Sequence, residues 1–144
     1  MKNTKRKGVI YAASNEKYVQ EAHKSAKSLK HQNPELPVIL FTTPNTNIRR
    51  KNIFDEIKYI KDKGYKIKIG AMMESPFVET LFLDTDTYVC ESIDDLFDLA
   101  SHFDVAVAHA PVRRSPTATS KLENYEVDGV PESFPEFNTG VLLF

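Results

Sequence analysis

Short apolar runs alternate with helix-period segments along most of the chain. GVIYAAS (8 to 14) is apolar almost throughout, as expected of a strand covered on both faces. Ser14 or Asn15 is a good N-cap for the helix that follows, whose inner stripe is predicted to be Val19, Ala22, Ala26 and Leu29. Asn33-Pro34 ends that helix. PVILFTT (37 to 43) reads as a second buried strand closed by Pro44-Asn45, followed by a short helix around Ile48 to Phe54 and a strand IKYI (57 to 60). A helix over 65 to 74 leads to the strand TLFLD (80 to 84). Ser92 is the expected cap of SIDDLFDLA, with Asp94 and Asp95 in the first turn, where the helix dipole favours them. FDVAVAHA (103 to 110) reads as a strand, residues 111 to 136 as a long loop, and NTGVLLF as a closing strand.

Strand and helix in alternation predict an α/β domain with a mostly parallel sheet and helices on both faces. In such sheets ligands bind outside the carboxyl ends of the strands, where the strand order switches. Ala12-Ala13-Ser14-Asn15 closes the first strand and Asp84 closes the TLFLD strand, so both are expected on one rim.

The stretch LFLDTDTYV raises a question of charge. Asp84 and Asp86 are one residue apart, so in extended chain both side chains point the same way. No lysine or arginine within the stretch neutralises them, and two like carboxylates resist burial together. Two readings stay open on spacing alone. Both can be solvated turn residues. Alternatively they bind a divalent cation, Mg²⁺ or Mn²⁺, which keeps one or two protein carboxylates and takes its remaining ligands from water and a substrate phosphate. An EF-hand loop starting at Asp84 is excluded, since Val89 and Asp95 stand where glycine and glutamate are required. An aspartyl phosphatase motif fits poorly, because Thr87-Tyr88 follows and the pair lies past the midpoint of the chain.

Composition narrows the partners. The 144 residues carry 19 basic and 20 acidic side chains, a net charge of -1, so no global field favours nucleic acid or an anionic membrane. The basic start MKNTKRKG is read as a solvated tail. VIYAA is shorter than the roughly 7 to 15 residues of a signal-peptide core, and no run reaches the ~18 apolar residues of a membrane span. A lone cysteine, Cys90, excludes an internal disulfide framework, fits a reducing, cytoplasmic setting, and is expected to be a small core residue. The four histidines show no ligand spacing; His109 lies nearest the predicted rim.

LFLDTDTYVCESIDDLF followed by FNTGVLLF resembles the glycogenin-like glycosyltransferases of family 8, and VIYAASNEKYVQEAHKSAKSL is similar to their opening strand and helix. The resemblance implies a single Rossmann-like domain of the GT-A type over residues 1 to 144. It also implies metal-dependent transfer of a sugar, with retention, from a nucleoside diphosphate sugar (a UDP-sugar) to an acceptor hydroxyl. On it, Asp84 and Asp86 bind Mn²⁺ or Mg²⁺; Ala13, Ser14, Asn15 and Tyr18 meet the nucleoside; Lys68, Thr85, Asn138, Thr139 and Gly140 meet the phosphates or the sugar. Tyr18 reads equally as an aromatic on the inner face of its helix, Lys68 as a solvated lysine, and Gly140 as a plain turn or bulge.

Members of that family continue past the N-T/S-G segment with a histidine on the metal, a G-D-Q-like segment near the acceptor and a lysine on the diphosphate. This sequence ends at Phe144, directly after the segment. The expectation is therefore a fragment or a minimal form, binding a metal-nucleotide complex weakly and turning over only if another chain supplies the missing half. A non-catalytic nucleotide-sugar-binding domain is the alternative. The last strand is expected to leave one side exposed, inviting a homodimer.

Overall fold

The computed structural model describes residues 6–49, 51–61, 66–109 and 137–144. Among the described residues nine elements follow in order: β1 (Lys7–Ala13), α1 (Glu16–Gln32), β2 (Val38–Thr42), β3 (Glu56–Tyr59), α2 (Lys66–Met73), β4 (Glu79–Leu83), a 3-10 helix (Asp94–Ser101), β5 (Ala106–His109) and β6 (Phe137–Leu143). The strands form one six-stranded sheet in the order β3-β2-β1-β4-β6-β5. The pairs β1–β2, β1–β4 and β2–β3 are parallel, and β6 runs antiparallel to both β4 and β5. The mostly parallel α/β sheet predicted from the alternation is therefore present.

Alternation along the strands builds two cores, because successive side chains face opposite sides of a sheet. Val9, Tyr11, Ala13, Val38, Leu40, Leu81 and Leu83 pack beneath α1, together with its stripe Val19, Ala22, Ala26 and Leu29 and with Phe97 of the 3-10 helix. Ile10, Ala12, Ile39, Phe41 and Phe82 pack on the other face against Ile67 and Ala71 of α2. Helices thus cover both faces, which explains why β1, β2 and β4 read as unbroken apolar runs. Asn15 caps α1 as expected, its side chain accepting from the Tyr18 N–H at 3.1 Å, and Asn33 ends the helix.

Four local expectations are corrected. No helix forms among the described residues between Ile48 and Phe54; turns bring Ile48 and Phe54 into the core instead. Asn47 and Asn52 favour such turns over a one-turn helix that lacks a nucleus. The segment after Ser92 is 3-10 rather than α, with Ile93 at the cap position, although the Ser92 hydroxyl does accept from the Asp94 N–H at 3.4 Å. Cys90 is exposed rather than a core residue, because it lies on the turn surface beyond Val89, which takes the buried place. Finally, β6 is not an edge: it lies between β4 and β5, and among the described strands the outermost are β3 and β5. Its unpaired side, the ground for self-pairing, does not exist. The predicted long loop at 111 to 136 lies outside the described residues.

Candidate functional site

The chain runs outward from β1 through β2 to β3, then returns to place β4 on the other side of β1. The switch in strand order therefore falls between β1 and β4, where parallel sheets of this kind bind ligands. An open cleft of about 330 Å³ lies at their carboxyl ends, lined by Ala12, Ser14, Tyr18, Glu21, Ile67, Lys68, Asp84, Thr85 and Asp86. Each wall comes from a different element, so no local segment could make this site alone.

Asp84 is its centre. The carboxylate Oδ1 takes an ion-paired hydrogen bond from the Lys68 ammonium of α2, and both side chains are about two-thirds buried. The Lys68 ammonium also stands 5.6 Å from the centre of the Phe82 ring. On the other side, the Asp84 N–H donates to the Gly140 carbonyl at 2.7 Å. A Cβ placed on Gly140 would come within 3.0 Å of Asp84 Oδ2 and 2.8 Å of Asn138 Oδ1. Close approach, rather than backbone conformation, is thus what this glycine permits. The pairing of β6 with β5 also slips at this point, between Val107 and Ala108, so the bulge reading of Gly140 holds alongside. Asn138 Oδ1 accepts from the Gly140 N–H at 2.7 Å, which fixes its side chain beside the aspartate.

A ladder of polar groups on one side of α1 holds the segment that follows Asp84. Glu21 accepts from the Thr85 hydroxyl at 3.1 Å, and Ser25 and Thr87 share a hydroxyl bond of 2.7 Å. Ser28 accepts from the Val89 N–H at 2.9 Å, Gln32 donates to the Cys90 carbonyl at 2.9 Å, and Asn33 accepts from Ser92 and Ile93. Spacing of three and four residues puts Glu21, Ser25, Ser28 and Gln32 on one helical face, and Asn33 at the C-cap extends the row. Asp86 itself is exposed and has no hydrogen bond or ion pair among the described residues.

The structure brings together Ser14, Tyr18, Lys68, Asp84, Thr85 and Asp86 in the cleft, with Asn138 and Gly140 against Asp84. Tyr18 does not lie on the inner face of α1; it is 43% exposed and lines the cleft. Lys68 is not a solvated lysine but the ion-pair partner of Asp84. Ala13 is turned away, buried under α1, because Ala12 takes the cleft-facing side of the strand. The Asn15 side chain is engaged in capping, and Thr139 is exposed beyond the cleft lining. His109 is exposed at the end of β5. Sequence reasoning placed Ala12 on the rim but did not name it as a site residue, and it missed Glu21 and Ile67; for Glu21 the signal was its position three residues after Tyr18, on the same helical face.

Among the described residues, no group of three or more His, Cys, Asp or Glu side chains is placed to hold a metal ion, so Asp84 and Asp86 stand as two carboxylates. That donor set suits a hard cation that completes its shell with water and phosphate oxygens. Among the described residues no helix is long and apolar enough to cross a membrane.

Comparison with solved structures places the fold among GT-A glycosyltransferases. The galactosyltransferase LgtC, in complex with donor and acceptor sugar analogues, superposes with a TM-score of 0.64 at 17% identity over 94% of this chain and 56% of its own. GlyE of Streptococcus pneumoniae TIGR4 gives 0.59 at 19% identity over 96% of this chain and 34% of its own. TarS 1–349 of S. aureus in complex with UDP gives 0.50 at 19% identity over 77% of this chain and 38% of its own. The chain thus spans about half the length of LgtC and about a third of GlyE. No curated protein matches it. A family model described as putative mannosyltransferase matches residues 6–105, well over half the sequence and all of the cleft lining, and the chain belongs to that family.

Proposed function

We propose that the cleft binds a nucleoside diphosphate sugar, a UDP-sugar, together with Mn²⁺ or Mg²⁺, and that the chain contributes this donor half to a retaining glycosyltransferase of the glycogenin-like type. One observation carries the reading: Lys68 from α2 and Gly140 from β6, with Asn138 beside it, converge on the Asp84 carboxylate just beyond β4, at the topological switch point. Such convergence has no use in a solvated turn. The glycosyltransferase fold and the UDP held by TarS support a nucleotide donor, and the family description supports a hexosyl group.

On this reading Asp84 and Asp86 hold the cation, which supplies charge neutralisation to the leaving diphosphate. Tyr18 and Ser14 receive the nucleoside at the end of β1, the exposed phenol ring offering a stacking face. Lys68 moves from Asp84 Oδ1 to a phosphate or sugar oxygen, and Gly140 keeps the backbone low so that the sugar can approach Asn138. In the transfer the bond from the anomeric carbon to the diphosphate would break as the bond to the acceptor oxygen forms, with the hydroxyl proton going to the released nucleoside diphosphate.

A second reading, a nucleotide-sugar-binding domain without turnover, is favoured by the absence of a third metal-ligating side chain among the described residues. Titration with UDP in the presence and absence of Mn²⁺, followed by a donor-hydrolysis assay, tests the proposal and separates the two readings. Metal-dependent binding with hydrolysis supports the enzyme, and metal-dependent binding without it supports the second reading.

A further inference from the structure

Tyr11, Ser25 and Thr87 form a chain of hydroxyls running from the core to the backbone of the acidic segment. The Tyr11 Oη lies 2.8 Å from Ser25 Oγ, Ser25 Oγ lies 2.7 Å from Thr87 Oγ1, and the Thr87 hydroxyl donates to the Asp84 carbonyl at 2.8 Å. A hydroxyl has one proton to give, and a carbonyl can only accept. The Asp84 carbonyl therefore fixes the direction of the whole chain: Thr87 spends its proton there, so Ser25 must donate to Thr87, and Tyr11 must donate to Ser25. Tyr11 and Ser25 are almost fully buried, so neither end of that bond has water as a substitute.

From this one-way arrangement we infer that Tyr11, Ser25 and Thr87 are positioning residues for the Asp84–Asp86 pair, a hydroxyl relay that locks the turn carrying both carboxylates to the rigid frame of β1 and α1. The inference rests on the donor-site reading above for its functional consequence, but not for its structural one. None of the three is among the residues lining the cleft, and the Thr87 hydroxyl meets the site through the main-chain carbonyl of Asp84. The Thr87 N–H also bonds the Asp84 carbonyl, at 3.2 Å, so one carbonyl gathers both groups of Thr87 and closes the turn in which Asp86 sits. Glu21 fixes Thr85 and Ser28 fixes the Val89 N–H, so the turn is anchored on either side of the relay. Ser25 and Ser28 occupy buried positions of α1 where alanine has the better helix propensity, a local cost that the anchored turn explains.

The test compares Thr87→Val, Thr87→Ser and Tyr11→Phe with the wild-type chain by amide hydrogen exchange across residues 84 to 89 without ligand, and by titration with Mn²⁺ and UDP. Thr87→Val removes both part-buried hydrogen bonds of the Thr87 hydroxyl, the one from Ser25 and the one to the Asp84 carbonyl, and is expected to speed exchange of the Thr87 and Val89 amides roughly ten- to thirtyfold and to weaken metal-dependent UDP binding by a similar factor. Exchange in β1 and β2 should stay unchanged. Thr87→Ser, which keeps the hydroxyl, should restore both quantities, and Tyr11→Phe should shift the same amides by about threefold. The inference is overturned if exchange over 84 to 89 is unaltered in Thr87→Val and in Tyr11→Phe, or if Thr87→Ser is as defective as Thr87→Val. Should Thr87→Val fail to fold, Tyr11→Phe, which keeps the ring and its packing, decides alone. If the wild-type chain binds no UDP, the donor-site reading falls while the exchange measurements still decide whether the relay holds the turn.

Discussion

The Asp84 carboxylate packs against bare Gly140 backbone, with Oδ2 only 3.0 Å from the place a Cβ on Gly140 would occupy. Two segments more than fifty positions apart, β4 and β6, thus share one contact that a single methyl group would break. Gly140→Ala makes the side-chain ends of Asn138 and Asp84 give way by a few tenths of an ångström, a shift that costs the fold little, under about 1 kcal/mol, but displaces the carboxylate. We expect metal-dependent UDP affinity to fall roughly tenfold, with a smaller change in melting temperature. A double-mutant cycle on thermal unfolding with Asp84→Ala checks the route: the part of the Gly140→Ala loss that comes from the carboxylate should vanish, and what remains belongs to Asn138.

Lys68 occupies Asp84 Oδ1, one of the oxygens a cation needs. Removing the ammonium should therefore act in opposite directions on two ligands. In Lys68→Gln, free Mn²⁺ should bind about three- to fivefold more tightly, because no ion pair of this partly exposed kind, worth up to ~1 kcal/mol, has to be displaced. Metal-dependent UDP affinity should drop about tenfold, since a phosphate loses a charged donor. Isothermal titration with each ligand reads both signs. A fall in both would mean that Lys68 merely supports the fold of the site.

Burial pushes the Tyr11 phenol up to about 12 from the ordinary 10.0. Its folded value lies above its unfolded value, so the stability it contributes is whole below pH 10 and is lost as pH rises from 10 towards 12. The loss amounts to roughly 3 kcal/mol at most. Other tyrosines and the lysines titrate in the same range, so the difference between chains is what counts. Unfolding by urea at pH 8, 10 and 11.5 should show a steeper alkaline fall for wild type than for Tyr11→Phe, and parallel curves would refute the buried assignment.

Where periodicity is strong, the sequence already carried the fold. The α1 stripe Val19, Ala22, Ala26 and Leu29 is buried as read, and β1, β2 and β4 are covered on both faces as their unbroken apolar runs required. The shared rim of Ser14 and Asp84 followed from chain direction alone. What stayed hidden depends on contacts distant in sequence. The place of β6 between β4 and β5 is a matter of pairing partners, which apolar content does not encode. Ile48 and Phe54 are apolar and buried, yet their spacing could not tell a helix turn from a looping segment that drops two side chains into the core. Ala12 and Ala13 differ only in which face of the sheet they occupy, and a one-residue uncertainty in register exchanges their roles. Glu21 carried no signal beyond its helical phase, because its partner Thr85 lies on another element.

The most direct test of the donor site is a calorimetric titration of the 144-residue chain with UDP, with and without Mn²⁺, beside the Asp84→Asn, Asp86→Asn double variant. We expect UDP to bind only when Mn²⁺ is present and the double variant to bind none under either condition, while its thermal unfolding stays close to that of wild type. Equal binding with and without the metal, or binding that survives loss of both carboxylates, would contradict a metal-assisted donor site at the end of β4.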